Sequence, residues 1–180
     1  MINIVAFIGP SGVGKTTLQR SLGLNPIITW TSRLPRKGEK SGVSYHFATR
    51  DEIMQMHRDG KLLEYTEYQG NLYATSLESI RRLIEFGKIG SIVVDCNGAL
   101  KLKSTYSANT LFLGVFATLE ECITRLSSRG ENDDMRLLTY QEEINVMQHL
   151  ADITINNSQS NWHRQVNTIQ LILKGLQHFE

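Results

Sequence analysis

Residues Gly9-Pro10-Ser11-Gly12-Val13-Gly14-Lys15-Thr16 satisfy the pattern G-x-x-x-x-G-K-[ST]. Glycines at these positions let the backbone wrap closely around an anion, with successive N–H groups turned inward. Lys15 then reaches the β- and γ-phosphates of a nucleoside triphosphate, and the Thr16 hydroxyl takes Mg²⁺, the ion that offsets phosphate charge during transfer. The expected triphosphate-binding set is Gly9, Ser11, Gly12, Val13, Gly14, Lys15, Thr16 and Thr17. By itself this loop does not separate kinases from GTPases, other ATPases or motors. The acceptor of any phosphoryl group has to be found elsewhere in the chain.

A phosphate loop works only if a strand delivers it and a helix follows it. Residues 2–8 form a β-branched-rich run that alternates poorly, as in a strand buried on both faces of a parallel sheet. A helical pattern at 15–22 closes near Gly23, with Pro26 soon after. Segments 91–94, ending at Asp95, and 110–116 repeat the buried-strand character, and a fourth short strand is expected at 151–155. Helices are expected at 51–59, 77–86, 119–128, 140–150 and 162–178, with small strands at 45–48 and 62–68. The polar stretch after Gly130 reads as a flap. Strands separated by helical runs predict an α/β protein with a parallel sheet.

Composition sets outer bounds. A chain of 180 residues, 41% hydrophobic and 21% charged, supports one domain with a real core. Nineteen basic against eighteen acidic residues leave a formal charge of +1, so no global field favours nucleic acid or an anionic membrane. Cys96 and Cys122 lack any metal-ligand or redox spacing, in keeping with a reducing cytoplasm. No export signal and no spanning segment is evident.

The run Ser32-Arg33-Leu34-Pro35-Arg36-Lys37-Gly38-Glu39, then Gly42 and Tyr45-His46-Phe47, resembles the guanylate kinase signature S-R-x-P-R-x-G-E-x-x-G-x-x-Y-x-F. Leu63-Glu64-Tyr65 and Tyr68-Gln69-Gly70-Asn71-Leu72-Tyr73 are similar to that family's F-L-E and x-G-N-x-Y-G-T elements, with Ala74 in place of the latter's second glycine. The resemblance covers nearly the whole chain in the family's order. It implies a three-layer P-loop NTPase core at 1–32 and 89–180, a small mixed insert for the nucleoside monophosphate at 33–88, and a short lid at 127–139. It also implies transfer of the γ-phosphoryl group of ATP to GMP or dGMP with Mg²⁺, in a monomer or dimer.

Carried over residue by residue, Arg33, Arg36, Tyr45 and Tyr73 fall where the family grips the acceptor phosphate, and Thr29, Glu64 and Thr75 where it reads guanine. The chemistry agrees. Guanidinium forks and tyrosine hydroxyls suit a phosphate, and an ionised carboxylate only accepts, matching guanine N1–H and its amino group rather than the bare N1 of adenine. Asp95 matches an acidic position facing the acceptor or the metal's water shell, and Arg125, Arg129 and Arg136 match lid arginines that stabilise charge on the transferring group. Two departures stand out. Val93 replaces the family's first aspartate, and the flap between Arg129 and Arg136 is short. A guanylate-kinase-like protein-interaction module and a kinase for a related phosphorylated acceptor are therefore the rival readings, the first disfavoured by the intact Lys15 and Thr16.

Overall fold

The computed structural model describes residues 1–36, 38–68, 70–128, 134–158 and 162–178. Its elements in chain order are β1 (Ile4–Ile8), α1 (Lys15–Ser21), β2 (Asn25–Pro26), β3 (Trp30–Thr31), β4 (His46–Phe47), α2 (Arg50–Arg58), β5 (Leu62–Tyr68) and β6 (Asn71–Ser76). They continue with α3 (Leu77–Glu85), β7 (Gly90–Val93), α4 (Cys96–Tyr106), a 3₁₀ turn (Ser107–Asn109), β8 (Thr110–Phe116), α5 (Leu119–Ser127), α6 (Asp134–Leu150), β9 (Ile153–Asn156) and α7 (Trp162–His178).

Every residue of β1 is buried, which is why its sequence does not alternate. Its side chains still divide by parity. Val5 and Phe7 join a core with Leu18 of α1, Cys122 of α5 and Val166, Ile169 and Leu173 of α7. Ile4, Ala6 and Ile8 face the opposite layer, with Ile80 of α3, Ala99 and Leu102 of α4 and Met147 of α6. Burying side chains such as Phe7 contributes about 1.5–3 kcal/mol each. The strands run β2-β7-β1-β8-β9, all parallel, so helices cover both faces in three layers. This is the parallel α/β architecture expected from the sequence.

A second, mixed sheet runs β4-β3-β6-β5 around its own core of Ile53, Leu62, Leu72 and Ala74. It recruits Trp30–Thr31 from ahead of residue 33, whereas α3, inside the 33–88 span, packs Ile80 on the large sheet. The capping boxes Thr49/Glu52 and Thr118/Glu121 fix the starts of α2 and α5.

Several elements differ from their sequence-based outlines. Helix α4 was not anticipated, because its buried face is only Gly98, Ala99 and Leu102, too slight for a clear apolar stripe. Strands β2 and β3 are two residues each and carry no pattern of their own. Helix α6 begins at Asp134 rather than near 140, because the polar run 131–134 directly before its first turns reads as loop. The expected flap lies largely outside the described residues.

Candidate functional site

The loop between β1 and α1 closes as a hollow of about 150 Å³ lined by Ser11, Gly12, Gly14, Lys15, Thr16, Thr17 and Leu126. All three of its glycines are demanded by space as well as by backbone, Gly9 and Gly14 most tightly. Gly9 has φ 135°, and a Cβ there would lie 2.1 Å from the Val115 carbonyl oxygen. Gly14 has φ 98°, and a Cβ there would lie 2.3 Å from Asn157 Nδ2. The Lys15 ammonium donates to the carbonyls of Gly9 (2.5 Å) and Pro10 (2.8 Å). Burial lowers the Lys15 pKa, opposed by the negative field of Glu143 and Asp95.

Beside this hollow lies a cleft of about 250 Å³ that both sheets build. From the loop it takes Gly9, Ser11 and Lys15; from the small sheet and its approach Thr29, Tyr45, Glu64, Thr66, Tyr73 and Thr75; from the end of β7 Val93, Val94 and Asp95. Antiparallel pairing sets Glu64 opposite Thr75, whose hydroxyl donates to Glu64 Oε1 at 2.6 Å. Burial, reinforced by the nearby Asp95 charge, pushes the Glu64 carboxyl up to about 7 against the pull of Thr75.

Arg33 stands at the edge of this cleft, its guanidinium 5.6 Å from the Tyr45 ring and hydrogen-bonded to Tyr73. The Arg33 side chain is only 14% exposed because Glu39 folds over it. Arg33 Nη2 donates to both Glu39 oxygens at 2.9 Å, and the Arg36 backbone N–H donates to Glu39 Oε2 at 2.7 Å. Burial would raise the Glu39 carboxyl, but these N–H groups hold it below its ordinary range. Tyr45 and Tyr73 meet edge to face at 6.1 Å.

Thr16 and Asp95 offer the hard oxygens that Mg²⁺ prefers. Thr16 is exposed at the first turn of α1, and Asp95 lines the cleft while its Oδ1 caps α4 by accepting the Gly98 N–H at 2.9 Å. No group of three or more acidic, His or Cys side chains that could hold a metal occurs among the described residues. A fit is nonetheless sound, because Mg²⁺ in phosphate sites keeps several waters and takes only one or two protein ligands.

The structure thus gathers Gly9, Ser11, Lys15, Thr29, Tyr45, Glu64, Tyr73, Thr75 and Asp95 around one cavity, while Arg36 sits on the exposed face of its loop. Arg125 lies beside the phosphate loop, bonded to the carbonyls of Gly12 (3.4 Å) and Asn157 (3.0 Å). Arg129 falls outside the described residues; Arg136 belongs to α6, its side chain outside them. Sequence reasoning passed over Glu143, which α6 carries into the cleft, where it accepts the Ser11 backbone N–H. Burial raises its pKa, and the Lys15 charge pulls it back. Its position in the middle of a helix gave no local signal.

A phosphate loop between a buried parallel strand and a helix, in a β2-β7-β1-β8-β9 sheet, defines a P-loop NTPase fold whose second sheet completes the adjoining cleft. The family profile described as "Guanylate kinase" matches residues 1–170. The guanylate kinase of Shouchella clausii is 33% identical, with 88% of this chain and 82% of that protein covered. For the guanylate kinase of Bacillus subtilis the identity is 33%, covering 80% of this chain and 76% of the other. A crystal structure of guanylate kinase from Anaplasma phagocytophilum shares the fold at TM-score 0.77, 24% identity, and 98% and 86% coverage of the two chains. The chain belongs to the guanylate kinase family.

Proposed function

We propose that this protein transfers the γ-phosphoryl group of ATP to GMP or dGMP, giving ADP and the guanine nucleoside diphosphate, with Mg²⁺ accompanying the ATP. The observation that carries this reading is one cavity lined both by Lys15 of the phosphate loop and by the Glu64–Thr75 pair. Donor phosphates lie on the inward N–H groups of residues 11–17, where Lys15 leaves the loop carbonyls to meet the β- and γ-oxygens. Guanine enters against Glu64, Thr75 and Thr29, and its phosphate meets Arg33, Tyr45 and Tyr73, with Arg36 closing in from its loop. An acceptor phosphate oxygen then faces the γ-phosphorus in line, and the protein contributes positioning and charge stabilisation without a covalent intermediate. Thr16 would hold Mg²⁺, with Asp95 reaching its water shell, and the bound ion would neutralise phosphate charge. Arg129 and Arg136 are the proposed lid arginines within 127–139, Arg125 is a further proposed catalytic arginine just ahead of them on α5, and the 33–88 segment is the proposed acceptor insert.

The test is ADP release with Mg²⁺-ATP and a panel of GMP, dGMP, AMP, CMP and UMP, beside a Lys15→Ala control. Turnover with the guanine nucleotides, lost by about 10²-fold or more in the control, supports the reading. Turnover confined to another phosphorylated acceptor assigns the site to that substrate, and no turnover above the control removes the enzymatic assignment. No helix among the described residues is long and apolar enough to cross a membrane.

A further inference from the structure

We infer that Asn157, in the turn after β9, is a positioning residue for donor-phosphate binding: it holds the phosphate loop in its anion-accepting form. This deepens the proposed function and rests on it. Asn157 is itself fixed at both ends. Its backbone N–H donates to Phe116 O at 2.8 Å, and its carbonyl accepts Arg125 Nη2 at 3.0 Å. From that anchor its side-chain amide donates to Val13 O at 2.7 Å, while Arg125 Nη1 reaches Gly12 O at 3.4 Å. Two successive carbonyls of the loop are therefore tied to one strap made by the β9 turn and α5.

The consequence follows from peptide geometry. Across a trans peptide the C=O of one residue and the N–H of the next point in opposite directions. Tying the Gly12 and Val13 carbonyls to the strap therefore turns the Val13 and Gly14 N–H groups the other way. The phosphate-sized hollow is lined by Gly12, Gly14, Lys15 and Thr16, and neither Asn157 nor Arg125 lines it. The strap thus acts through the loop. Gly14 belongs to the same device, because any Cβ there would collide with Asn157 Nδ2. Without the strap, these peptides are free to rotate, and part of the binding free energy is spent ordering them.

Calorimetric titrations of the full chain with Mg²⁺-ADP and, separately, with GMP provide the test, on wild type and on Asn157→Leu, which removes the donor at similar size. Asn157→Ala serves as the second variant if the leucine does not fold. The expected result is about 3- to 10-fold weaker ADP binding, with GMP affinity within about twofold of wild type. In turnover the same selectivity appears as a raised KM for ATP with the KM for GMP unmoved. Unchanged ADP affinity in a folded variant overturns the inference, as does an equal loss for both ligands, which marks a merely structural residue. A wild type that binds neither nucleotide defeats the proposed function itself, and the inference with it.

Discussion

Raising the pH from 6 to 8 should tighten GMP binding through Glu64. Its carboxyl is displaced upward from 4.5 to about 7, first by burial and then by the Asp95 charge, against the hydrogen bond from Thr75. About a tenth of the molecules carry an ionised Glu64 at pH 6 and about nine-tenths at pH 8. Because only the carboxylate accepts both guanine N–H groups, the apparent Kd falls about tenfold across this range. The acceptor's own phosphate titrates near pH 6, so the comparison must be made with Glu64→Gln, which shares that phosphate dependence and keeps an acceptor for Thr75. Calorimetry at pH 7 in two buffers of different ionisation enthalpy adds a direct count: about half a proton leaves the wild type on GMP binding beyond any released from the variant. The linkage also has a folding side. Between the ordinary carboxylate range and about 7 the native protein binds more protons than the unfolded chain, so stability declines as pH rises through that window, by about 3 kcal/mol in all. Lys15, Asp95 and Glu143 share the cleft, and of these charges it is Asp95 that adds to burial in raising the Glu64 midpoint. Identical pH profiles in wild type and Glu64→Gln, with no extra proton released, would refute the assignment of Glu64 as the guanine-reading carboxylate.

Other perturbations test neighbouring links. Thr75→Val removes the donor at 2.6 Å from Glu64 while keeping its shape, so the pH midpoint for GMP binding moves upward, read by the same titration. Glu39→Gln loosens the fork on Arg33, and steady-state kinetics should show KM for GMP rising about 3- to 10-fold with KM for ATP unchanged; equal changes in both would deny Glu39 a role confined to the acceptor. Gly9→Ala forces a Cβ to within 2.1 Å of Val115 O at a positive φ and should cost about 3 kcal/mol, seen as a melting temperature lower by ~6–12 °C. A melting curve unmoved by that substitution would mean that the loop does not pack on β8 as described.

Local chemistry made much of the protein legible from sequence. The phosphate loop is contiguous, and its glycines, Lys15 and Thr16 state their roles by type and spacing. Buried strands such as 110–116 announce themselves by unbroken apolar runs, and α7 by its apolar period. Beyond the site membership that the family resemblance implied, the contacts between distant segments were left open by the sequence. Glu64 and Thr75 become a pair through the register of β5 and β6, and Glu143 reaches the cleft because α6 packs on the large sheet through Met147. Asn157 touches the loop across 144 residues of chain. The burial that moves Glu64 toward neutrality likewise belongs to no residue of the sequence taken singly. Residue types fix which bonds are chemically available; distances, shared cavities and the desolvation of a charge arise only when the packed core brings remote segments together and excludes water from between them.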